Sequence, residues 1–571
     1  MNRSGLTAFS ITKLIGSLAS TLAGGLSAGV AMALMTLPAQ ADEFSFEPVN
    51  VPVINVDALT EGTGPSTLSR ADDAALQMHR QRALPVLEML ESERPMDGSM
   101  DGQALPDEFL PDADAMPMEP MDPEATAEDG LDEAYSATDA AEVGLSAVDH
   151  YSQGIQAYRR GDDATAVASF NAAITTNSEY AEAYLFRAAA KLNLGDATAA
   201  MADYSTAIFI RPDYDLAYFS RGALFYELGD LAAAIDDFEA VIALDPMSVE
   251  AYNYLGLTKA AIGAHTEALV DYESALSIDP EYELAYMHRG ASLIELGEYE
   301  SAIAPLSNAI NLEPGYVEAF LNRGVAYYHM GDMASALENF DRALQLDSEN
   351  TEAYYNRSYV YSALGRPSAA IADINQVLSR QPDSVQAYMA RGSLYSAQGE
   401  HTAAIADFNK VIELDAYASE AYHQRALVRV ASNNLPDAIA DYENAISINP
   451  ADGSVYKGRA DAYAIYGNLP AAIQDYTYAI DLDGDQSAAY ASRGRAYYEA
   501  GDAQSAYQDF THIIRQDPAA SADIYYYRGL TLVALGDSFG AHSDLQAAAD
   551  RYLADGQPDG YRAVLNRMSR L

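Results

Sequence analysis

The sequence predicts an all-α protein, an α-solenoid of stacked helix hairpins, on the basis of three recurring features. A 34-residue block repeats from about Ala147 to Gly556, and a fixed period of this size is typical of a stacked repeat array. Each block has a small residue where two helices could approach closely, followed twelve residues later by an alanine. Seven residues after the small residue comes a glycine or asparagine, where the first helix would end in the left-handed conformation.

The third block shows these features clearly. Counting each block from 1 to 34, Gly222 is the small residue at position 8, Gly229 is the turn residue and Ala234 is the alanine. We expect Gly222 and Ala234 to touch, and the large side chains of the Tyr218 and Phe238 positions to fill the remaining space. In the ninth block Asn433 replaces the turn glycine, and asparagine is the next best residue for a left-handed turn.

The pattern resembles the tetratricopeptide repeat (TPR) family, in an exported bacterial form with about twelve repeats. The match covers residues 147–555, and residues 556–571 follow with apolar residues at helical spacing, which predicts a capping helix. The resemblance implies paired helices in a right-handed superhelix with a concave inner face. It also implies a binding scaffold rather than an enzyme.

The composition and the N-terminal residues indicate the class of partner and the compartment. The 571-residue chain has a net charge of -51 and no cysteine, which disfavours nucleic acid as a partner and favours basic partners. Residues 1–41 contain no acid and end in Ala39-Gln40-Ala41, as in a secretory signal peptide that is cleaved before Asp42. An uncleaved membrane anchor is the alternative. The sequence thus predicts the general secretory route to a periplasm or other extracytoplasmic space, without lipid attachment.

Residues 42–146 form an acidic leader with 25 acidic residues and four arginines, and the composition predicts a disordered linker. Ala71–Arg82 and Leu84–Glu91 are candidates for transient helices. The second stretch has an apolar stripe that comprises Leu84, Val86, Leu87 and Leu90. This stripe would dock on the solenoid or on a partner, or else the helix would only fluctuate in solvent. Spaced methionines offer thioether ligands for Cu(I), which gives a weaker alternative, a metal-handling leader; they are Met116, Met118 and Met121.

By resemblance to the family, positions 2, 5, 6, 9, 12 and 13 of the first helix would face the inner groove. That groove would be rich in tyrosine with an acidic edge, which suits an extended partner segment containing basic residues or proline. Asparagine at position 6 binds ligand backbone in some TPR proteins, so repeats five to seven supply the peptide-binding candidates: His288, Glu318, Asn322, Tyr328, Glu352, Tyr355, Asn356 and Tyr359. The alternative is that these are merely polar residues on a wet surface.

Arginine at position 7 and aspartate at position 23 recur together. The planar guanidinium group fits a carboxylate with two parallel hydrogen bonds, so the sequence predicts structural ion pairs between the two helices of a hairpin. Representative pairs are Arg221 with Asp237, Arg357 with Asp373, and Arg391 with Asp407.

Nothing in the spacing suggests a catalytic or metal site, because the nine histidines are scattered and the glycines fall at repeat turns. The sequence therefore predicts a protein without enzymatic activity, metal or cofactor. It would act as a scaffold that binds an extended protein segment in an extracytoplasmic space. The alternative is a structural, self-associating component of the cell envelope.

Overall fold

The computed structural model describes residues 145–483 and 487–570. These residues form 25 α-helices and no β-strand, so the predicted all-α solenoid of helix hairpins is confirmed. The predicted signal peptide, residues 1–41, lies outside the described residues, as does the acidic leader up to residue 144. None of the helices described here is long and apolar enough to cross a membrane.

The chain divides into two compact units, one ending at Asn322 and one beginning at Arg323. The first unit contains α1 (Ala147–Arg159), α2 (Asp163–Thr176), α3 (Ala181–Asn193), α4 (Ala197–Ile210), α5 (Asp215–Glu227), α6 (Leu231–Leu244), α7 (Val249–Ala261), α8 (His265–Ile278), α9 (Glu283–Glu295) and α10 (Tyr299–Leu312). The boundary between the units falls within α11 (Val317–His329).

The second unit continues the same alternation of helices. It contains α12 (Met333–Leu346), α13 (Thr351–Ala363), α14 (Pro367–Arg380), α15 (Val385–Ala397), α16 (His401–Leu414), α17 (Ser419–Ala431), α18 (Leu435–Ile448), α19 (Gly453–Tyr466), α20 (Leu469–Asp483), α21 (Ser487–Glu499), α22 (Ala503–Gln516), α23 (Ala522–Ala534), α24 (Ser538–Ala554) and α25 (Pro558–Met568). Helix α25 packs on α24 and buries Val564 completely.

The turn inside each hairpin follows from backbone conformation. The first helix of repeat three, α5, ends at Glu227 and is followed two residues later by Gly229, whose φ is +78°. In repeat nine Asn433 adopts the same left-handed region with φ of +58°. The second helix then begins at a capping residue. In repeat three the backbone N–H of Ala233 donates a hydrogen bond to the Asp230 carboxylate over 3.3 Å. Capping satisfies a backbone donor that the helix itself leaves free.

The core of each hairpin is a large side chain at position 24 wedged against the small residue at position 8. A Cβ atom on Gly222 would lie 3.1 Å from Asp237 Cβ and 3.2 Å from Phe238 Cε1, and Phe238 is fully buried. The three atoms nearest to this position belong to Asp237 and Phe238, because the aromatic ring lies across the glycine. In repeat four the equivalent of Ala234 is also close, since the backbone oxygen of Ala268 would lie 3.1 Å from a Cβ atom on Gly256.

Candidate functional site

The recurring arginine at position 7 contacts two second helices. Arg391 on α15 donates from Nε and Nη2 to the Asp407 carboxylate on α16 over 2.8 and 2.7 Å. Its third group, Nη1, donates to Asn375 Oδ1 on α14 of the preceding repeat over 2.6 Å. The guanidinium also lies 5.4 Å from the ring centre of Tyr388, one turn earlier, within cation–π range. Arg391 therefore joins its own hairpin to the one before it. The equivalent arginines that make the same link are Arg187, Arg221, Arg357, Arg425 and Arg493.

The same geometry holds for the other two representative pairs. Arg221 donates to Asp237 over 2.8 Å through both Nε and Nη2. Arg357 donates to Asp373 over 2.8 and 2.7 Å. Burial raises the pKa of Asp373, although the hydrogen bonds and positive charge of Arg357 oppose that shift. These groups are partly or fully removed from water and stabilise the array, so they are not free to hold a ligand.

A second cation at position 11 reaches the same aspartate in some repeats. Lys191 lies 2.7 Å from Asp203, and Arg429 lies 2.6 Å from Asp441, which Arg425 also binds. In repeat four, where position 7 is leucine, a lysine at position 11 alone pairs with the carboxylate; the two residues are Lys259 and Asp271, 2.7 Å apart. The sequence signal for these contacts is a basic residue twelve positions before the aspartate.

Two position 6 side chains of the first unit, His288 and Asn322, are buried between consecutive first helices. His288 on α9 is 5% exposed, and its Nδ1 lies 2.9 Å from Asn253 Oδ1 on α7. Asn322 is 7% exposed, and its Nδ2 lies 3.7 Å from Met287 Sδ, also on α9. The sequence predicted that these two side chains would line an open groove. In the structure the neighbouring first helix covers them. Glu318, at position 2 of α11, is exposed.

Burial of His288 predicts a pH-dependent stability. Burial lowers the pKa of His288 from 6.5 to about 4, so the folded array favours the neutral ring. The sign follows from linkage, because the stabilisation is complete above pH 6.5 and is lost as the pH falls towards 4. Between pH 7 and pH 5 we expect the free energy of opening of α7 and α9, measured by hydrogen exchange, to fall by about 2 kcal/mol.

The control for this prediction is His288→Asn, because asparagine occupies position 6 in repeats six and seven. An asparagine amide does not titrate in this range and can still donate to Asn253. If the variant loses as much stability on acidification as the wild type, His288 is not the group responsible.

The candidates of the second unit lie on α11 and α13. Asn356 is 5% exposed, and its Nδ2 is buried without a hydrogen-bond partner in the part of the chain that the structure describes. Beside it on α13, the Tyr359 hydroxyl donates to the Tyr355 hydroxyl over 3.0 Å, with the two rings 5.2 Å apart. Tyr328 is half-buried and Glu352 is exposed. The structure thus brings Tyr355, Asn356 and Tyr359 together on one helix.

This arrangement offers hydrogen bonding and contact area rather than reaction chemistry. An amide N–H needs an acceptor, and a backbone carbonyl of an extended peptide is one. Paired tyrosines supply a rigid apolar surface with polar hydroxyl groups. Across the described residues, no group of three or more acidic, histidine or cysteine side chains is placed to hold a metal ion.

A cleft in the first unit was not anticipated from the sequence. It is a small recess among α1, α3, α4 and α5 with room for about one water molecule, and it is lined by Tyr158, Leu185, Phe186, Ala189, Tyr204, Leu216 and Ser220. Tyr204 is fully buried, and its hydroxyl has no hydrogen-bond partner among the described residues. The only sequence signal is tyrosine instead of phenylalanine at position 24, which places a hydroxyl on the buried wedge.

Comparison with known proteins gives three family matches. Residues 190–229 and 290–331 match a family described as TPR repeat. A tetratricopeptide repeat family matches residues 219–283, 355–419, 423–489 and 467–521, and another of that description matches residues 317–350. No curated protein matches the chain.

Three solved structures illustrate the likeness. A tetratricopeptide repeat protein from Parabacteroides merdae ATCC 43184 is 23% identical, covers 43% of this chain and 98% of its own, and has a TM-score of 0.36. YrrB, described as a TPR protein with an unusual peptide-binding site, is 23% identical over 32% of this chain and 95% of its own, with a TM-score of 0.29. Yeast Tom70 is 16% identical over 74% and 96%, with a TM-score of 0.34.

The family matches agree with the hairpins in the structure. They run between residues 190 and 521, where the positive-φ turn residues and the buried position 24 side chains recur. The chain belongs to the tetratricopeptide repeat family.

Proposed function

We propose that this protein is a non-enzymatic scaffold that binds an extended segment of a protein partner in an extracytoplasmic compartment. The observation that carries the proposal is the Asn356 amide, which is buried beside the Tyr355–Tyr359 pair without an acceptor for Nδ2 in the described chain. Leaving a buried donor unpaired costs free energy, of the order of 1–3 kcal/mol. A bound peptide carbonyl would remove that cost if the Asn356 side chain turned outward to meet it, because Nδ2 is covered in the structure, as His288 and Asn322 are.

Charge supports a partner with basic residues. The chain carries 84 acidic against 33 basic side chains, and many of the latter are held in the Arg–Asp pairs described above. Exposed acids at position 2 of successive repeats, such as Glu318 and Glu352, add local negative charge. A basic or proline-containing segment would therefore be attracted over long range and meet tyrosine faces at the surface.

The extracytoplasmic location rests on the sequence of residues 1–41. A basic start, an uncharged run and Ala39-Gln40-Ala41 favour export by the general secretory route. The chain has no cysteine to which a lipid could be attached. Processing of the exported protein before Asp42 is testable by N-terminal sequencing of material from the envelope fraction.

Asn356→Ala is expected to weaken capture of the partner while leaving the array folded. The substitution removes the buried donor without breaking a hydrogen bond of its Nδ2 within the described chain. Losing one hydrogen bond to the ligand costs about 1 kcal/mol, which corresponds to roughly five-fold weaker binding. Quantitative pull-down from an envelope fraction measures this effect, and circular dichroism checks the fold.

The matched control is Asn444→Ala, because Asn444 is exposed on α18. It should capture the same partners as the wild type. If Asn356→Ala also captures them in equal amount, the α13 site is not the binding site. Growth of particle size with concentration, in the absence of a captured partner, would instead support a self-associating structural component.

A further inference from the structure

The recess of the first unit, which we name the Tyr204 recess, lies on the face that the family register assigns to the groove. Its lining residues occupy positions 2, 5, 6, 9, 12 and 24 of the first three repeats. Apart from Tyr204 at position 24, these are first-helix positions that were predicted to face the inner surface. The space has room for about one water molecule and is too small for an amino-acid side chain. An occupant must therefore be a single small polar group.

Tyr204 contributes a hydroxyl group that has no acceptor in the protein. The side chain is completely removed from water, and its hydroxyl has no hydrogen-bond partner within the described chain. Burial raises the pKa of Tyr204, and the neighbouring Tyr158 hydroxyl contributes to the shift, so the group stays protonated and is a donor. Leaving such a buried donor unpaired costs free energy.

Repeat ten shows what satisfies a tyrosine hydroxyl at position 24. Tyr476 is 2% exposed, and its hydroxyl donates to Asp461 Oδ1 over 2.6 Å. Asp461 occupies position 9, and the equivalent residue in repeat two is Ala189, which lines the Tyr204 recess. Alanine supplies no acceptor and leaves space where the carboxylate lies in repeat ten. The recess thus coincides with the place of the missing acceptor.

Two further hydroxyl groups belong to the Tyr204 recess. Tyr158 and Ser220 both line it, and they are 5% and 2% exposed. A buried water makes about three hydrogen bonds to polar groups, and a hydroxyl group can either donate or accept. Together with Tyr204, these residues provide enough polar groups to hold a water molecule.

We propose that the Tyr204 recess binds one ordered water molecule, which accepts the hydrogen bond of the Tyr204 hydroxyl and takes the place of the Asp461 carboxylate in repeat ten. The same water hydrogen-bonds with the hydroxyl groups of Tyr158 and Ser220. It gives the first three repeats a fixed polar point among the apolar side chains of the recess. This site is separate from Asn356, so the proposal does not depend on the proposed function.

X-ray crystallography of the full mature chain at high resolution tests the site directly. A single ordered water should lie about 2.8 Å from Tyr204 Oη, and within hydrogen-bonding distance of the Tyr158 or Ser220 hydroxyl. Absent density, density too large for one water, or a Tyr204 hydroxyl that donates to a protein group would each overturn the proposal.

Tyr204→Phe provides a second measurement, in solution, in which the sign of the effect is decisive. Phenylalanine occupies position 24 in five other repeats, so the variant can keep the packing of α3 on α4. If water accepts the hydrogen bond, hydrogen exchange should show that the opening of α3 and α4 becomes about five-fold more frequent. If the hydroxyl has no partner, its removal relieves a cost. Less frequent or unchanged opening would therefore overturn the proposal.

The matched control is Tyr476→Phe, because the hydrogen bond from this hydroxyl to Asp461 is present in the structure. This substitution should make the opening of α19 and α20 more frequent. The proposal requires both variants to change hydrogen exchange in the same direction. Changes in opposite directions would show that Tyr204 lacks the acceptor that Tyr476 has, and the water site would be wrong.

Discussion

Arg391→Leu is expected to destabilise repeat eight by about 3 kcal/mol, because it leaves a buried carboxylate without its cation. Asp407 is 5% exposed and accepts two hydrogen bonds from Arg391. Position 11 of this repeat is Tyr395, so within the described chain no second cation replaces the arginine. The link from Arg391 to Asn375 in the preceding repeat is lost as well.

The same substitution one repeat later provides the control. Arg425→Leu leaves Asp441 paired with Arg429 over 2.6 Å, an arrangement that repeat four has naturally with Leu255, Lys259 and Asp271. We expect this variant to lose about 1 kcal/mol, the scale of a net hydrogen-bond loss. Equal losses in the two variants would show that the position 11 cation does not compensate.

Native-state hydrogen exchange is the appropriate measurement for this comparison. A long repeat array does not unfold as one cooperative step, so a single melting temperature averages over its parts. The free energy of opening of α15 and α16 should fall in Arg391→Leu, and that of α17 and α18 should fall less in Arg425→Leu. The helices of repeats two and three should be unaffected in both variants.

The hairpin and its turn could be predicted from the sequence because they depend on local chemistry. A left-handed residue must end the first helix, so glycine recurs at that position, and Asn433 is the one non-glycine residue with positive φ among the described residues. The Arg–Asp pairs could also be predicted, because two chemically complementary residues recur sixteen positions apart in most copies. Because the same pattern recurs in many copies, each copy supports the prediction made for the others.

Burial at position 6 could not be predicted in the same way. Whether His288 or Asn322 faces water depends on how closely α7, α9 and α11 pack on one another, and a single repeat does not encode that distance. The position 11 cations were missed for a different reason. Lys191, Lys259 and Arg429 occur in only a few repeats, so the average pattern hides them.

Gly256→Val is expected to disrupt the packing of α7 on α8. A Cβ atom on Gly256 would lie 2.6 Å from Cε1 of Tyr272 and 3.1 Å from the backbone oxygen of Ala268. Tyr272 is fully buried, and a backbone oxygen cannot move away as a flexible side chain can. Overpacking of this kind costs about 3 kcal/mol, and the branched side chain adds two methyl groups beyond the Cβ.

The cost of valine itself must be separated from the clash. Ala202→Val places the same side chain at an exposed position within α4, where its lower helix propensity costs about 0.5 kcal/mol. Hydrogen exchange should therefore show a much larger loss of protection in α7 and α8 of Gly256→Val than in α4 of Ala202→Val. Similar losses would mean that the hairpin can separate to admit the side chain, and that the close approach at position 8 is not what holds the two helices in register.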